Sequence, residues 1–155
     1  MASTLQAIHE FLGCRRIAAA GVARDRRHFS RVLFRELRAR GYDVVPVNPN
    51  ADEIDGVRCY ARVSDIQPPV EGALLTTTGE ASASVVSDCV AAGVRRVWLY
   101  RGAGRGAVTP AALELCAKHG ISVVPGECIL MFLRDAGWIH AAHGMFRKVV
   151  GSYPA

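Results

Sequence analysis

The chain has 155 residues, the length of one domain, because a single core serves chains of up to about 250 residues. Half of the residues are hydrophobic and 21% are charged, which excludes a disordered tail protein and predicts a folded core. Residues 15 to 40 carry nine arginines against two acidic residues, a local charge of +7, and predict an anionic ligand or partner, or else a solvated helix face.

The N-terminal region is predicted to form a short helix followed by a buried strand. Ser3 is expected to cap an amphipathic helix that ends at Gly13. Residues 17 to 22 are apolar throughout, which is typical of a strand covered on both faces in a parallel sheet. This segment is therefore predicted to be a central strand.

A second helix is predicted before Gly41, and its two faces differ in polarity. Apolar residues recur at helical spacing on one face: Phe29, Val32, Leu33 and Leu37. Arginines are expected on the opposite face: Arg31, Arg35 and Arg38. The helix is therefore predicted to lie at the protein surface.

The rest of the chain alternates strands and helices. Asn48-Pro49 ends the second strand, because proline fixes φ and forces the preceding residue out of helical geometry. Crossover helices between strands predict an α/β fold with a doubly wound five-stranded parallel sheet, whose ligand site lies beyond the carboxyl ends of the strands. The predicted strands after the first cover residues 42–47, 73–77, 94–100 and 121–125, and the predicted helices cover residues 80–92 and 110–118.

The loop after the first strand carries the strongest signal for a ligand. A helix begins after His28, and its free N–H groups and positive dipole end suit a phosphate group. Arg24, Arg26 and Arg27 add more positive charge than a plain diphosphate requires, so a ligand with several phosphates is predicted. The GxGxxG fingerprint of NAD sites and the GxxxxGK(S/T) loop of nucleotide triphosphatases are both missing. With these two classes of site excluded, the predicted ligand is an adenine nucleotide with an extra phosphate.

Residues 17–29 and 41–49 together resemble the small CoA-binding domain proteins, which are similar to the nucleotide-binding domain of the succinyl-CoA synthetase α subunit. Further matches lie at residues 92–98 and 120–132, and the resemblance covers about residues 15–133. We therefore expect a single CoA-binding domain with a helical extension over residues 134–155.

The resemblance implies that coenzyme A or an acyl-CoA places its phosphates over residues 21–28 and its adenosine against the Asn48-Pro49 turn. The sequence departs from the family at Ala23, where serine is common, and at Ser30, where glycine is frequent. The predicted ligand-binding residues are Gly21, Val22, Ala23, Arg24, Arg26, Arg27, His28, Asn48, Pro49, Asn50, Thr77, Thr78, Tyr100 and Gly102.

No catalytic residue and no metal site are predicted. His140 and His143 lack a third ligand at useful spacing, and the synthetase also needs a phosphorylated histidine from a separate domain. A non-catalytic carrier, sensor or regulatory role is therefore expected. Two alternatives remain open: an NADP-dependent oxidoreductase whose arginines bind the 2′-phosphate and, less favoured, a nucleic-acid-binding protein that uses the basic stretch of residues 15–40.

Location and assembly are also predicted from the sequence. No apolar run approaches the roughly 18 residues of a membrane span, and the N-terminus lacks a secretory pattern, so a cytoplasmic protein without a membrane partner is expected. The amphipathic C-terminal segment predicts a helix that packs on the sheet or forms a homodimer. The five cysteines, without a CxxC pair, are expected to be reduced and mostly buried.

Overall fold

The computed structural model describes residues 3–102 and 104–133. Its helices and strands run, in chain order, α1 (Leu5–Leu12), β1 (Arg16–Ala20), α2 (Phe29–Ala39), β2 (Asp43–Val47), β3 (Glu53–Ile54), β4 (Val57–Arg58), β5 (Gly72–Leu75), α3 (Gly79–Ala91), β6 (Arg96–Leu99), α4 (Pro110–Lys118) and β7 (Ser122–Pro125). Short 3-10 turns cover Val63–Asp65 and Ile129–Met131.

As predicted, five of the described strands form one parallel sheet, and their order is β2-β1-β5-β6-β7. The chain passes from β1 outward to β2 and then returns to the other side of β1 at β5. The strand order therefore reverses between β1 and β5. In open sheets of this kind the crevice at the reversal is where ligands bind.

Helices cover both faces of the sheet, which explains why β1 is apolar throughout. Ile17 and Ala19 join the core formed with α1 and α2, while Ala18 and Ala20 join the core formed with α3 and α4. Because successive side chains in a strand point to opposite faces, a strand buried on both sides needs an unbroken apolar run.

The cap of α1 differs from the prediction by one residue. The Thr4 side chain accepts a hydrogen bond from the Ala7 N–H at 3.1 Å and is the N-cap. Ser3 is buried, and its hydroxyl donates to the Pro125 carbonyl at 3.0 Å. Ser3 therefore forms a hydrogen bond with β7 and does not cap the helix.

The predicted faces of α2 are partly wrong. Arg31 was expected in solvent but is only 4% exposed, while Phe29 and Val32 are each 37% exposed. Leu33 and Leu37 are fully buried, as predicted. Arg31 is buried because Asp55, 24 residues further along the chain, packs against it and supplies the carboxylate that a buried guanidinium requires.

Asp55 lies in a hairpin that the sequence analysis missed. Strands β3 and β4 pair antiparallel across Asp55 and Gly56, which have φ values of 48° and 77°. Positive φ at both central residues is the geometry of a type I′ turn, for which Asp-Gly is a favoured sequence. The dipeptide was therefore a usable signal.

Several predictions fall outside the described residues. The C-terminal helical extension and the His140–His143 pair lie in residues 134–155, as does most of the segment predicted for the homodimer contact, residues 129–150. None of the helices within residues 3–102 and 104–133 combines the length and apolar character that a membrane crossing requires.

Candidate functional site

A cleft of about 750 Å³ opens at the carboxyl ends of β1, β2 and β5, at the reversal of strand order. Its volume falls in the range of about 300–1,000 Å³ that is usual for small-molecule sites. Half of the fourteen predicted ligand-binding residues line this cleft: Gly21, Ala23, His28, Asn48, Pro49, Thr77 and Thr78.

The other predicted residues lie outside the lining. Val22 is fully buried, and Asn50 is exposed beside the Asn48-Pro49 turn. The three loop arginines are exposed between the lining residues Ala23 and His28. The last two follow β6, which ends at Leu99: Tyr100 stacks on Phe29 with ring centroids 5.5 Å apart, and Gly102 lies against the Tyr100 ring. These last two residues form a separate group.

Gly21 allows the loops after β1 and β5 to touch at the base of the cleft. Its φ of 86° is accessible mainly to glycine, and a Cβ at this position would lie 2.8 Å from the Thr77 backbone nitrogen. The close approach of these two backbones places the arginine-bearing loop beside Thr77.

Asn48 uses its side-chain amide to hold the cleft together. The Nδ2 group donates to the Val22 carbonyl at 2.9 Å, and Oδ1 accepts from the Asn50 N–H at 2.8 Å. The turn after β2 is therefore fastened to the loop after β1. Asn48 therefore holds this turn in place, and Pro49 lines the cleft beside it.

His28 and Ser30 order the end of the loop. His28 Nδ1 accepts from the Ser30 N–H at 3.2 Å and lies 2.8 Å from the Ser30 hydroxyl, which itself accepts from the Ala23 N–H at 2.9 Å. These bonds are satisfied together when the hydroxyl donates to Nδ1, which leaves Nε2 as the protonated nitrogen. Ser30 thus binds the loop at Ala23.

The loop after β5 places three threonines at the cleft. Thr76 donates its hydroxyl to the Ala20 carbonyl at 3.0 Å. The Thr77 hydroxyl oxygen is buried and has no hydrogen-bond partner in the described part of the chain. A buried hydroxyl without a partner is uncommon in native proteins, because it loses hydration without replacement. Thr77 therefore lines the cleft with a hydroxyl that the described part of the chain leaves unbonded.

A second wall of the cleft contains Arg62 and Asp88, which the sequence analysis missed. Arg62 donates to Asp88 Oδ1 through Nε at 3.2 Å and through a terminal nitrogen at 2.9 Å, yet its side chain is 64% exposed. Burial raises the pKa of Asp88, but hydrogen bonds from Ser64, Arg62 and Val63 outweigh burial and lower the pKa overall. An ionised carboxylate thus holds a cationic side chain at the cleft.

No local sequence signal identifies this wall. Tyr60 forms a parallel bridge with Val47 at the end of β2, and this contact brings Arg62 beside the cleft. Asp88 comes from α3, 26 residues further along the chain. The pair depends on the path of the chain and not on a motif.

Four of the nine arginines of the basic stretch form close ion pairs within the protein. Arg16 pairs with Asp43, Arg40 with Glu36, and Arg31 and Arg35 with Asp55. Hydrogen bonds from Arg35 and Arg31 hold the pKa of Asp55 well below its ordinary value. Three loop arginines differ: Arg26 is 79% exposed and 3.6 Å from Asp55, and Arg24 and Arg27 form no ion pair within residues 3–102 and 104–133.

The cysteines and histidines of the described chain form no metal centre. No cluster of three metal-ligating side chains occurs within residues 3–102 and 104–133. Burial raises the pKa of Cys89 to about 12 and that of Cys116 to about 11, so both are protonated thiols at neutral pH. Four of the five cysteines are buried, and Cys128 is half-buried.

The model of the CoA binding domain family matches residues 15–134. The chain belongs to the CoA binding domain family. Within this family match lie the whole cleft, the arginine-bearing loop and all five strands of the sheet. The sequence resemblance to CoA-binding domain proteins is thereby confirmed.

Similar proteins range from short chains to large ligases. The uncharacterized protein YneT of Bacillus subtilis is 24% identical over 74% of this chain and 82% of its own length. A conserved hypothetical protein from Pyrococcus furiosus has a TM-score of 0.69 at 27% identity, over 77% of this chain and 99% of that chain. Acetate–CoA ligase (ADP-forming) II of Archaeoglobus fulgidus is 28% identical over a match that covers 52% of this chain and 13% of the ligase.

Proposed function

We propose that the protein binds coenzyme A or an acyl-CoA in the cleft and acts as a non-catalytic carrier, sensor or regulator. The observation that carries this proposal is the unpartnered, buried hydroxyl of Thr77 in a cleft beside the loop arginines. A ligand in this cleft must offer a polar group to Thr77 and negative charge to the loop. Coenzyme A meets both requirements.

The charges of the site fit the phosphates of coenzyme A. The ligand carries a diphosphate and a 3′-phosphate, and charge-assisted hydrogen bonds to phosphate are stronger than neutral ones. Arg24 and Arg27 have no carboxylate partner in the described structure, and Arg26 is 79% exposed and forms a 3.6 Å ion pair with Asp55. Arg62 also lines the cleft, with its side chain 64% exposed and its charge paired with Asp88.

Binding without catalysis separates this proposal from the activity named for the ligase relative. This chain matches 13% of that ligase, so the remaining parts of the ligase have no counterpart in the match. We extend the proposal to a cytoplasmic protein and to a homodimer formed through the C-terminal segment, residues 129–150.

Titration calorimetry of the purified protein tests the proposal. The ligands are coenzyme A, acetyl-CoA, dephospho-CoA, NADPH and ATP. We expect saturable binding of coenzyme A, and weaker binding of dephospho-CoA by about tenfold, since one lost charge-assisted contact is worth about 1.5–3 kcal/mol. Failure to bind coenzyme A or acetyl-CoA at millimolar concentration would overturn the proposal.

The alternatives are favoured by one outcome of the same titration and by one outcome of a separate titration with single-stranded DNA at two salt concentrations. Preferential binding of NADPH supports an oxidoreductase. Binding of single-stranded DNA whose affinity falls steeply with salt supports a nucleic-acid-binding protein, since each neutralised phosphate releases counterions.

A further inference from the structure

Arg31 connects the hairpin to the loop beside the cleft. Its side chain is 5% exposed, and its Nε and one terminal nitrogen donate to the two carboxylate oxygens of Asp55. The other terminal nitrogen donates to the carbonyls of Ala23 at 3.1 Å and Arg24 at 3.0 Å. One buried guanidinium therefore joins the hairpin turn to two consecutive peptide groups of the loop.

These contacts set the direction of the loop's N–H groups. A peptide group is planar and trans, so its N–H points opposite to its carbonyl. Because the carbonyls of Ala23 and Arg24 face Arg31, the N–H groups of Arg24 and Asp25 point away from Arg31. Neither N–H has a hydrogen-bond partner within the described ranges of the chain. Both groups lie between Ala23 and His28, which line the cleft.

We propose that Asp55 and Arg31 form a clamp that presents the N–H groups of Arg24 and Asp25 to a phosphate group of the bound ligand. Asp55 is then a positioning residue, which acts on the ligand through Arg31 and the loop backbone. The inference rests on the proposed function, because it concerns how the same cleft holds a phosphorylated ligand.

The clamp and a purely electrostatic role of Asp55 predict opposite results. As a charge alone, Asp55 lowers the positive potential that Arg26, Arg31 and Arg35 create near the cleft. Removing that negative charge should then strengthen binding of a polyanion. As part of the clamp, Asp55 orders the loop, and removing its charge should weaken binding.

The decisive variant is Asp55→Asn, since asparagine keeps the shape of the side chain and tolerates a φ of 48°. Asp52→Asn is the matched control, because Asp52 is exposed, precedes the same hairpin, and its side chain makes no hydrogen bond or ion pair in the described structure. Arg31→Lys keeps the positive charge but lacks the planar fork that reaches a carboxylate and two carbonyls together.

Titration with coenzyme A distinguishes the two roles. We expect Asp55→Asn and Arg31→Lys to weaken binding about tenfold, and Asp52→Asn to change it by less than about twofold. Thermal melts establish that each variant is folded at the temperature of the titration. Binding by Asp55→Asn that equals or exceeds that of the wild type would overturn the clamp.

Two further measurements keep the clamp separate from the identity of the ligand. Amide hydrogen exchange of the free protein should be faster at residues 22–27 in Asp55→Asn than in the wild type or Asp52→Asn, and equal exchange contradicts the clamp. Inorganic pyrophosphate, which carries no adenosine, should lose affinity in Asp55→Asn as coenzyme A does. A protein that binds pyrophosphate but not coenzyme A overturns the proposed function alone, whereas one that binds neither overturns both.

Discussion

At the scale of single residues, the hydroxyl of Thr77 is the group in the cleft whose role is easiest to isolate. Thr76 bonds to β1 through its hydroxyl, whereas the Thr77 hydroxyl is buried without a partner in the described structure. Leaving such a group unbonded costs free energy, so the folded protein gains nothing from it until a ligand supplies a partner.

Thr77→Val tests this division between stability and binding. Valine keeps the shape of threonine and removes the hydroxyl, so the free energy of unfolding should stay within about 0.5 kcal/mol of the wild type or increase. Affinity for coenzyme A should fall about fivefold, because one hydrogen bond to the ligand is lost. Thr77→Ser should retain most of the affinity. Unchanged binding by Thr77→Val contradicts the assignment.

The loop arginines are predicted to act on the ligand and not on the fold. Alanine at the best placed of Arg24, Arg26 and Arg27 should weaken coenzyme A binding by about tenfold or more, because a charge-assisted contact contributes about 1.5–3 kcal/mol. The melting temperature should hardly change, since all three side chains are exposed.

Arg38→Ala is the matched control for these variants. Arg38 is an exposed arginine of the same basic stretch, at the far end of α2, where its guanidinium lies over the Phe34 ring. Removing it changes the net charge equally but should leave the affinity near that of the wild type. Equal losses in all four variants would indicate a general effect of charge.

At the scale of elements, the hairpin of β3 and β4 determines which residues of α2 are buried. Arg31 lies on a helix whose sequence pattern places it in solvent, yet the hairpin covers it and supplies Asp55. Arg35 joins the same carboxylate at the edge of this contact. Ion pairs therefore connect α2 to the hairpin, and their contribution to stability depends on pH.

The free energy of unfolding should fall at acid pH, partly because the ion pairs of Asp55 with Arg31 and Arg35 are lost. The pKa of Asp55 is lower in the folded protein than its ordinary value of 3.8, so the unfolded chain takes up a proton at higher pH than the folded one. The stabilisation is therefore complete above about pH 5 and is lost progressively as the pH falls below about 4. The lowered pKa of Asp88 acts in the same direction.

Thermal melts of the wild type and Asp55→Asn at pH 7, 5, 3 and 2 measure the contribution. At pH 7 the variant should melt about 5 °C lower, since losing a charged hydrogen-bonded pair costs about 1.5–3 kcal/mol. The difference should shrink as the pH falls below about 4, because the unfolded wild type takes up a proton at Asp55 there while the folded protein keeps the carboxylate ionised. A difference that stays constant down to pH 2 would show that Asp55 does not titrate with folding.

At the scale of the whole molecule, the cleft exists because two loops from either side of the strand reversal meet at Gly21. The loop after β1 and the loop after β5 approach so closely that no side chain fits between Gly21 and the Thr77 backbone. The order β2-β1-β5 places these loops side by side. The site is thus a property of the sheet and not of one segment.

Gly21→Ala should disturb both stability and binding, and Gly93→Ala is its matched control. Both glycines have positive φ, at 86° and 75°, but a Cβ at Gly93 meets nothing within 4 Å. Backbone strain should cost about 1–2 kcal/mol at either position, and the clash at Gly21 about 1–3 kcal/mol more. Chemical denaturation measures this difference, and only Gly21→Ala should weaken coenzyme A binding.

The sequence by itself determined the α/β class, the five parallel strands and the loop that carries the arginines. These features are local: apolar runs report burial on both faces, and glycine, proline and caps mark where elements end. The same reasoning found Asn48, Pro49 and Thr77, because the carboxyl ends of parallel strands meet at one edge of the sheet.

Only the tertiary structure decided which charges are available to a ligand. Arg31 and Asp55 are 24 residues apart, and Arg62 and Asp88 are 26 apart. Helical or strand periodicity describes the faces of one element and contains no record of what another element places against them. The path of the chain after β2 therefore decided that Arg31 is buried with a carboxylate and that Arg62 lines the cleft. The arginines of the loop stay exposed.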